Sequence, residues 1–573
     1  IKKIQVPGTQ KKRLKEYQKN LAGLVFFDPA CGSGNFLTET YLSLRRIENE
    51  VLRLIVAADS KTMTGQISFG FDEGSPIQVS IHQFYGIEIN DFAVAVAQTA
   101  LWIAESQMMK ETEDVIHQSM DFFPLKEYKG IAEKNALRVD WADIVPVDKL
   151  SYIMGNPPFS GAMKSKGDHR DDILMSFPEC DKPGQVDYVT GWYIKAARFI
   201  KDTRIRCAFV STNSICQGQQ VYLLWKPMSD YGVHIDFCYH TFRWDSEADE
   251  KAKVHCVIIA FSCFDTHKEK RIYDGDTYAV AKNINGYLAD AEDVFIMASK
   301  EQISGMPPMH MGVMARDGGH LIMSQEEYEE YIAKEPQGKV FIRRYMMGRE
   351  FINNIPRYCF WMVDADPKVL KKCPLLLERI EQVRQERLKS PAKETQNLAE
   401  TPALFAQLAQ PTEDFIAFPK VSSQRRRYIP VGVLSKDIIV GDKVYVVENV
   451  GIYEFGILTS NIHNAWMRAV AGRMKSDYSY SNTIVYNNFP WPSPSPDQRE
   501  KIEQTAQGIL DARALYPDSS LADLYDPLTM PPELRKAHTA NDRAVMQAYG
   551  MPIKETDEAA CVAWLMRMYQ EMT

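Results

Sequence analysis

The sequence contains 573 residues, of which 45% are hydrophobic and 25% charged, with a net charge of −8 at pH 7. These values are typical of a soluble protein with roughly two to four globular domains. The sequence lacks a run of about 18 apolar residues, so no membrane span is expected. The ten cysteines form no CxxC pair, which argues against a metal site or a disulfide framework and favours a reducing cytoplasm.

Residues 1–20 are basic and polar, contain no signal peptide and predict a helix ahead of the first strand. The first strand, residues 24–27, leads into Asp-Pro-Ala-Cys-Gly-Ser-Gly-Asn-Phe and then into a helix over residues 36–56. Gly32 and Gly34 predict a tight turn where the backbone can approach a ligand, because glycine has no Cβ. The N–H groups at the start of the helix suit a carboxylate or a phosphate.

The next strand ends in Phe-Tyr-Gly-Ile-Glu-Ile-Asn at residues 84–90, after a glycine- and serine-rich segment, residues 62–80, that predicts an inserted hairpin. Glu88 lies at the end of this strand, where nucleotide-binding folds commonly place a carboxylate that accepts from ribose hydroxyls. A largely apolar helix is predicted over residues 91–109. A solvated glutamate at a strand end is the alternative interpretation.

A further strand, residues 152–154, ends at Asn156-Pro157-Pro158-Phe159. Proline fixes φ and has no N–H, so the two prolines hold a polar amide at the strand end and leave a carbonyl free to accept from a ligand. Together with the glycine turn, this Asn-Pro-Pro-Phe motif resembles the DNA adenine-N6 methyltransferases, which use S-adenosylmethionine (AdoMet). The resemblance implies an α/β fold, the class I AdoMet-dependent methyltransferase fold with a Rossmann-like mixed sheet.

The resemblance also implies a cofactor site. The glycine turn would bind the methionine end of AdoMet, Glu88 its ribose, and Ile89 would pack on its adenine ring. Asn135, with Asp140 as second choice, would contact the adenine amine. The implied cofactor-binding residues are Asp28, Pro29, Ala30, Gly32, Gly34, Asn35, Phe36, Glu88, Ile89 and Asn135.

The same resemblance gives Asn156, Pro157, Pro158 and Phe159 the catalytic role. The Asn156 side-chain oxygen and the Pro157 carbonyl would accept both hydrogens of the target amine, so no general base is required. No metal site is predicted. Phe159 would stack on the target base, worth roughly 1–3 kcal/mol. The base would be flipped out of the duplex to reach this loop. Phe242 or Trp244 is the candidate for the other face of the base pocket, with packing aromatics as the alternative.

The rest of the predicted methyltransferase domain, residues 1–264, follows from local patterns. Residues 160–182, with Lys164, Lys166, His169 and Arg170, predict a polar loop beside DNA, with a disordered surface loop as the alternative. Residues 187–201 predict an amphipathic helix. The strands that follow are predicted at residues 205–213, 235–239 and 254–261, with a polar hairpin at residues 245–253.

The middle of the chain is locally basic, since residues 331–490 contain 23 Lys and Arg against 16 Asp and Glu. Arginine interleaved with aromatic residues is typical of phosphate and base contact, with a solvated face and a packed aromatic as the alternative for each cluster. The candidate DNA-binding residues are Arg343, Arg344, Arg425, Arg426, Arg427, Arg473, Lys475, Tyr478 and Tyr480.

These segments extend the resemblance to the MmeI-like, type IIL, restriction–modification proteins, in which one chain combines an endonuclease, a methyltransferase and a recognition domain. The resemblance implies an α+β target-recognition domain over residues 265–495. A helical C-terminal cap is predicted over residues 496–573, with helices at 497–515, 531–549 and 556–571. No credible nuclease signature is present, so cleavage is not assigned to this sequence, and an N-terminal nuclease domain would lie outside it.

The sequence therefore predicts methylation of adenine N6 at a specific site in double-stranded DNA, in the cytoplasm of a bacterium. Cytosine N4 stays open as the target, because the same loop serves both amines. Methylation of a protein glutamine also uses such loops, but those enzymes do not need some 300 residues after the catalytic domain. The intact Asp28, Glu88 and Asn156 argue against a DNA-binding specificity protein without catalysis.

Overall fold

The computed structural model describes residues 7–60, 76–117, 119–120, 128–161, 167–180, 182–244, 254–266, 268–554 and 556–573. The chain divides into two compact units, one made of residues 1–216 and 220–288 and the other of residues 217–219 and 289–573. Among the described residues, no helix combines the length and apolarity that crossing a membrane requires. Each of the ten cysteines is a free thiol, and all except Cys263 are buried.

The first unit is built on one large sheet. Its described strands are β1 Phe26–Asp28, β2 Phe84–Glu88, β3 Ile131–Glu133, β4 Tyr152–Gly155, β5 Arg206–Thr212, β6 His234–Trp244, β7 Val254–Ser262, β8 Lys270–Asp274 and β9 Thr277–Ala281. Its described helices are α1 Pro7–Ala22, α2 Asn35–Ser60, α3 Asp91–Ile116, α4 Asp168–Ser176, α5 Thr190–Ile200 and α6 Gln219–Asp230.

The strand order is β3-β2-β1-β4-β5-β7-β6-β8-β9. Strands β3, β2, β1, β4 and β5 are parallel, and β7 is antiparallel to both β5 and β6. Consequently β6 runs in the same direction as β5. The carboxyl ends of β1, β2, β4, β5 and β6 therefore lie at one edge of the sheet. This topology confirms the predicted Rossmann-like mixed sheet.

Aromatic rings fix the register at the centre of this sheet. The ring of Phe26 on β1 stacks on Phe84 of β2 at 5.2 Å and on Tyr152 of β4 at 5.3 Å. Phe84 is completely buried, and full burial of such a side chain is worth roughly 1.5–3 kcal/mol. Below them, Leu37 and Tyr41 on α2 are buried at helical spacing, as the sequence predicts. Changing the Phe26 ring to alanine would remove its packing against both neighbouring strands.

Two regions differ from the sequence interpretation. The sheet continues beyond residue 264, because β8 pairs with β6 and β9 pairs with β8. These edge strands carry exposed residues, so the hydrophobic pattern that marks a buried strand is weak there. Residues 160–182 are not simply a polar loop, because α4 forms within them. Asp172 and Ile173 on α4 are buried, whereas the lysines predicted beside DNA at 164 and 166 lie outside the described residues.

The second unit mixes small sheets with helices, as predicted. Its strands are β10 Met309–Met311, β11 Ile322–Ser324, β12 Ile342–Met346, β13 Arg357–Phe360, β14 Phe415–Pro419, β15 Val421–Ser422, β16 Gly432–Leu434, β17 Ile439–Val440, β18 Val444–Val447, β19 Gly472–Met474 and β20 Asp477–Ser479. Its helices are α7 Gln325–Lys334, α8 Gly348–Asn353, α9 Pro367–Leu370, α10 Pro374–Leu388, α11 Lys393–Asn397, α12 Ile452–Thr459, α13 Asn461–Val470, α14 Pro496–Ala514, α15 Leu521–Leu524, α16 Pro532–Ala548 and α17 Glu558–Met572.

The strands of the second unit form three sheets, ordered β10-β18-β14-β16, β11-β13-β12-β17 and β15-β20-β19. The carboxyl-terminal part is helical, and α14 begins at a capping box in which Ser495 and Gln498 exchange side-chain and backbone hydrogen bonds. On α16, the buried ring of His538 stacks on Tyr428 at 4.1 Å. This stacking joins the helical part to the loop that carries Arg425, Arg426 and Arg427.

Candidate functional site

Three of the predicted site residues meet at one edge of the large sheet. Strand β1 pairs in parallel with β2 on one side and with β4 on the other. Asp28 and Glu88 are the last residues of β1 and β2, and Asn156 directly follows β4. The structure therefore brings together side chains that are up to 128 positions apart in the sequence.

The glycine turn after β1 needs its glycines. Gly32 and Gly34 have φ angles of 53° and 80°, in the left-handed region that favours glycine. A Cβ on Gly34 would lie 2.9 Å from the Cβ of Ala97, so glycine also lets α3 approach the turn closely. The Glu88 carboxylate braces this turn, because its Oε2 accepts from the Gly32 N–H and its Oε1 from the Asn90 N–H, both at 3.0 Å.

Asp28 is a buried carboxyl with one unused oxygen. Its side chain is 1% exposed, and its Oδ1 accepts from the Ala30 N–H at 3.0 Å. Its Oδ2 is buried and has no hydrogen-bond partner among the described residues. Burial raises the pKa of Asp28 to about 7. The hydrogen bond from the Ala30 N–H lowers this pKa, and the charge of Glu88 adds a smaller increase. A cationic ligand that reached Oδ2 would favour the charged form.

Gly155, the last residue of β4, allows Asp28 to lie against the strand. A Cβ on Gly155 would lie 2.4 Å from the Asp28 Oδ1. The carboxyl thus contacts the residue immediately before Asn156. The Asn156 Oδ1 is buried and lacks a hydrogen-bond partner among the described residues. Leaving a buried acceptor unpaired costs roughly 1–3 kcal/mol, so this oxygen is available to a donor from a ligand or from water.

The residues after Asn156 alternate in exposure. Pro157 is buried, Pro158 is exposed and Phe159 is half-buried. The loop beyond them is held by Asp187, whose Oδ1 accepts from the Ser160 N–H at 3.1 Å and the Gly161 N–H at 3.3 Å.

The sequence interpretation missed the contacts of Asp187 with this loop. It also missed two contacts made by side chains on α5. The Trp192 indole N–H donates to the Pro29 carbonyl at 3.1 Å, which ties α5 to the glycine turn. The Lys195 ammonium donates to the Ala136 and Leu137 carbonyls, and burial lowers its pKa to about 8. The helical pattern of this segment was visible in the sequence, but the contacts of its polar side chains depend on loops remote in the chain.

The remaining cofactor candidates differ in accessibility. Phe36 is 36% exposed and Ile89 is 68% exposed, so both can contact a ligand at this edge. Asn35 begins α2, and its Oδ1 accepts from the Ser33 hydroxyl at 3.3 Å. Asn135 is already engaged within the protein: its Oδ1 accepts from the Leu137 N–H at 2.9 Å and its Nδ2 donates to Asp172 at 3.1 Å.

Asp140, the second choice for the adenine contact, also has an internal role. It caps a short turn and accepts from the Ala142 N–H at 3.0 Å. The bonds of Asn135 and Asp140 favour a role in shaping this loop, and direct adenine contact stays a prediction for both.

The two aromatic candidates for the base pocket lie near the end of β6. Because β6 is parallel to β5, Phe242 and Trp244 are at the same edge of the sheet as Asn156. Phe242 is half-buried, Trp244 is 37% exposed, and their ring centroids lie 6.2 Å apart. The hairpin predicted at residues 245–253 lies outside the described residues. The choice between these two rings stays open.

In the second unit, the structure brings two predicted basic clusters together. Strand β20 pairs with both β15 and β19, so the loop after β15 lies beside the β19–β20 hairpin. A bond at 3.3 Å from the Gln424 N–H to Asp477 joins the two directly. Arg425 and Arg427 are exposed, whereas Arg426 is half-buried. Arg473 stacks on Tyr478 at 4.2 Å, and the exposed Lys475 at the hairpin tip has a φ of 58°.

The other predicted DNA contacts either lie in a different sheet or are buried. Arg343 and Arg344 are half-buried on β12, in a different sheet, and Arg344 donates to the Asn354 side chain at 2.6 Å. Tyr480 is 2% exposed and its hydroxyl bonds to the His463 ring at 3.0 Å. Tyr478 is 7% exposed, beneath Arg473. Burial gives both tyrosines a supporting role in the core rather than a surface that a nucleic acid can reach.

Family models cover nearly all of the chain. Residues 4–274 match the DNA-methyltransferase domain of MmeI, residues 290–493 its target recognition domain, and residues 494–573 its C-terminal domain. A protein of Bacillus subtilis (strain 168), DNA methyltransferase A, is 38% identical over 564 residues, which are 98% of this chain. The chain spans 63% of the length of that relative.

A solved structure is also similar. It is the type IIL restriction–modification enzyme MmeI in complex with DNA, which matches with a TM-score of 0.86 and 42% sequence identity. The match covers 98% of this chain and 75% of the MmeI chain.

Proposed function

Because the chain belongs to the MmeI family of type IIL restriction–modification enzymes, we propose that it methylates adenine N6 at a specific site in double-stranded DNA, with AdoMet as methyl donor. The observation that carries the proposal is the buried, unpartnered Oδ1 of Asn156 beside Asp28 at the edge of the sheet. A buried acceptor of this kind matches the N–H group of a target amine. A DNA methyltransferase among the relatives supports the same reaction class.

The residues at this edge fit AdoMet. The unpartnered Oδ2 of Asp28 suits the ammonium group of the methionine end, and the turn at Gly32 and Gly34 leaves room for a close approach of the ligand. The exposed Ile89 and Phe36 offer apolar surface for an adenine ring. Glu88 is a candidate for the ribose, because a carboxylate has about four acceptor positions and the two backbone N–H groups occupy only two of them.

AdoMet, when bound, supplies an electrophilic methyl group on its sulfonium. An aromatic amine is a poor nucleophile, because its nitrogen lone pair is delocalised into the ring. Asn156 Oδ1 and the Pro157 carbonyl can accept both amine hydrogens, which favours a pyramidal nitrogen with its lone pair directed at the methyl group. Phe159 stacks on the extruded base. The bond from the methyl group to sulfur would break as the bond to nitrogen forms, and the methylated nitrogen would then release its extra proton to water. The protein thus contributes positioning and electrostatics, and no side chain has to remove a proton first.

The second unit supplies DNA contact in this proposal. The loop with Arg425 and Arg427 and the hairpin with Arg473 and Lys475 form one basic surface on a single three-stranded sheet. Cations at loop ends suit phosphate contact, which positions the duplex without reading its sequence. Arg343 and Arg344 are candidates for a second, separate contact.

The test measures methyl transfer to a mixture of DNA sequences from AdoMet with a labelled methyl group, followed by analysis of the methylated nucleosides. N6-methyladenine at one sequence motif is the expected product. Detection of N4-methylcytosine instead would show that cytosine is the target. Asn156→Ala is expected to lose transfer by about 100-fold while AdoMet and DNA still bind, since misplacing a reactant by about 1 Å costs a factor of this order. Substantial activity in this variant would refute the role of Asn156 as the amine acceptor.

A further inference from the structure

The loop that follows Asn156 begins with few backbone N–H groups that can hold it in place. Pro157 and Pro158 have no N–H groups, so the first backbone donors beyond Asn156 belong to residues 159–161. Two of these three donors, the N–H groups of Ser160 and Gly161, bind the same oxygen of Asp187. The near end of the loop is fixed by β4, and Asp187 fixes the far end.

Asp187 is itself held from several sides. Its Oδ2 accepts from the hydroxyl of Thr212, at the end of β5, at 2.9 Å and from the hydroxyl of Ser214 at 3.2 Å. Its backbone N–H donates to the Gln220 side chain at 3.0 Å. Its carbonyl accepts from the Thr190 hydroxyl at 2.7 Å, at the start of α5. The carboxylate therefore has one defined position relative to the sheet.

This arrangement is costly for a purely structural residue. Asp187 is 1% exposed, and within the described part of the chain every hydrogen-bond donor to its carboxylate is uncharged. Moving a carboxylate from water to such a place is unfavourable unless all its acceptor positions are used. An apolar side chain would fill the same volume at lower cost, but it could not bind two loop N–H groups.

Resting on the proposed function, we propose that Asp187 is a positioning residue that sets the place of the Asn156–Phe159 loop for methyl transfer. It does not contact the substrate. It holds the loop so that the Asn156 oxygen and the Pro157 carbonyl face the target amine together. The glycine turn has its own contact with α5, from Trp192 to Pro29. Loss of Asp187 therefore misplaces the target loop and leaves the turn in place.

The chemistry of the hydrogen bonds distinguishes two substitutions. In Asp187→Asn, the amide oxygen can still accept from Ser160 and Gly161. The hydroxyls of Thr212 and Ser214 can rotate to accept from the new amide N–H group. In Asp187→Ala, neither set of bonds can form. Asp187→Asn is therefore expected to keep most of the activity that Asp187→Ala loses.

The experiment compares the full chain with these two variants in steady-state methyl transfer, AdoMet binding and hydrogen exchange of the Ser160 and Gly161 amides. For Asp187→Ala we expect kcat to fall about 100-fold with AdoMet Kd within twofold of wild type, and the two amides to exchange faster. Asp187→Asn is expected within about tenfold of the wild-type kcat. The control is Asp236→Ala, which removes a half-buried carboxylate that accepts from Ser262 on the same sheet and should leave kcat unchanged.

The proposal is overturned if Asp187→Ala keeps kcat within about threefold, if its AdoMet affinity falls in proportion, or if Asp187→Asn is as inactive as the alanine variant. A second readout uses a base analogue at the target position, whose fluorescence rises when the base leaves the duplex. In Asp187→Ala we expect this rise without productive methyl transfer, which loss of stability alone would not produce. If the wild-type chain transfers no methyl group to any DNA, the proposed function fails. The anchoring of the loop by Asp187 is then judged by amide exchange, and unchanged exchange in Asp187→Ala refutes it.

Discussion

Replacing Asp28 with asparagine should make the first unit more stable and weaken the AdoMet binding that we propose for it. In the folded chain, burial raises the pKa of Asp28 to about 7 from its ordinary value of 3.8. The unfolded carboxyl loses its proton near pH 4, whereas the folded one keeps it until about pH 7. The contribution of Asp28 to the free energy of unfolding therefore falls as pH rises between these values, and the loss is complete above pH 7.

The size of this effect follows from the pKa difference. The interval between 3.8 and about 7 corresponds to about 4 kcal/mol, and relaxation of the protein around the charge reduces this to roughly 2–4 kcal/mol. Asp28→Asn has no charge to bury and can still accept from the Ala30 N–H. At roughly 2 °C per kcal/mol for a unit of this size, its Tm at pH 8 should lie about 4–8 °C above that of wild type.

The assay is thermal unfolding at pH 5 and pH 8 beside AdoMet binding by calorimetry. The gain in Tm should be large at pH 8 and small at pH 5. AdoMet affinity should fall about 100-fold, because the variant lacks the carboxylate that we propose as partner of the ammonium group. Wild-type AdoMet affinity should also weaken below pH 7, where Asp28 holds a proton. Asp148→Asn removes an equal charge from an exposed position and serves as control. An equal gain at both pH values, or a lower Tm for Asp28→Asn at pH 8, would refute this reasoning.

Three further changes test other parts of the structure. Gly155→Ala places a Cβ 2.4 Å from the Asp28 Oδ1, so it should lower the free energy of unfolding by about 1–3 kcal/mol and weaken AdoMet binding. The control is Gly184→Ala, whose Cβ meets no atom within 4 Å and should be neutral. Denaturant titrations measure both variants. Charge reversal at Arg425 and Arg427 should weaken DNA binding and reduce the slope of log K against log salt by about 0.9 for each phosphate that the protein no longer neutralises. The same reversal at the exposed Lys371 and Lys372 is the control. An unchanged slope would mean that other residues bind the phosphates. Lys475→Gly should raise stability by about 1 kcal/mol because φ is 58° there, yet lower DNA affinity, and a gain in both would mean that Lys475 does not contact DNA.

Local patterns in the sequence were enough to predict the elements that carry the site. The glycine turn, the strand before Asn156 and the helix after Gly34 each follow from short-range chemistry, and the structure confirms β1, α2 and β4 close to their predicted bounds. Parallel pairing then brings Asp28, Glu88 and Asn156 to one edge without further information. These residues were predictable because strand ends in a Rossmann-like sheet meet at a fixed place.

Other features depend on tertiary packing that no local pattern reveals. Asp187 resembles any acidic residue ahead of a helix until its loop partners are known. Tyr480 stands among polar and basic residues in the sequence, yet its ring packs on Phe418 at 4.2 Å in the core. Helix α6 contains Pro227 in its interior, which argues against a helix in the sequence. Packing decides all three, and packing involves residues distant in the chain.

The burial of the thiols gives an experimental opportunity. Nine of the ten cysteines are buried, and burial raises the pKa of thiols such as Cys238 to about 12. Maleimides react with thiolates, so the native cysteines should label slowly. A cysteine introduced as Met474→Cys, at a position 61% exposed on the β19–β20 hairpin, would then carry a dye or a photo-crosslinker almost alone. Fluorescence or crosslink mapping from that single point could follow how the hairpin meets DNA without first removing any native cysteine.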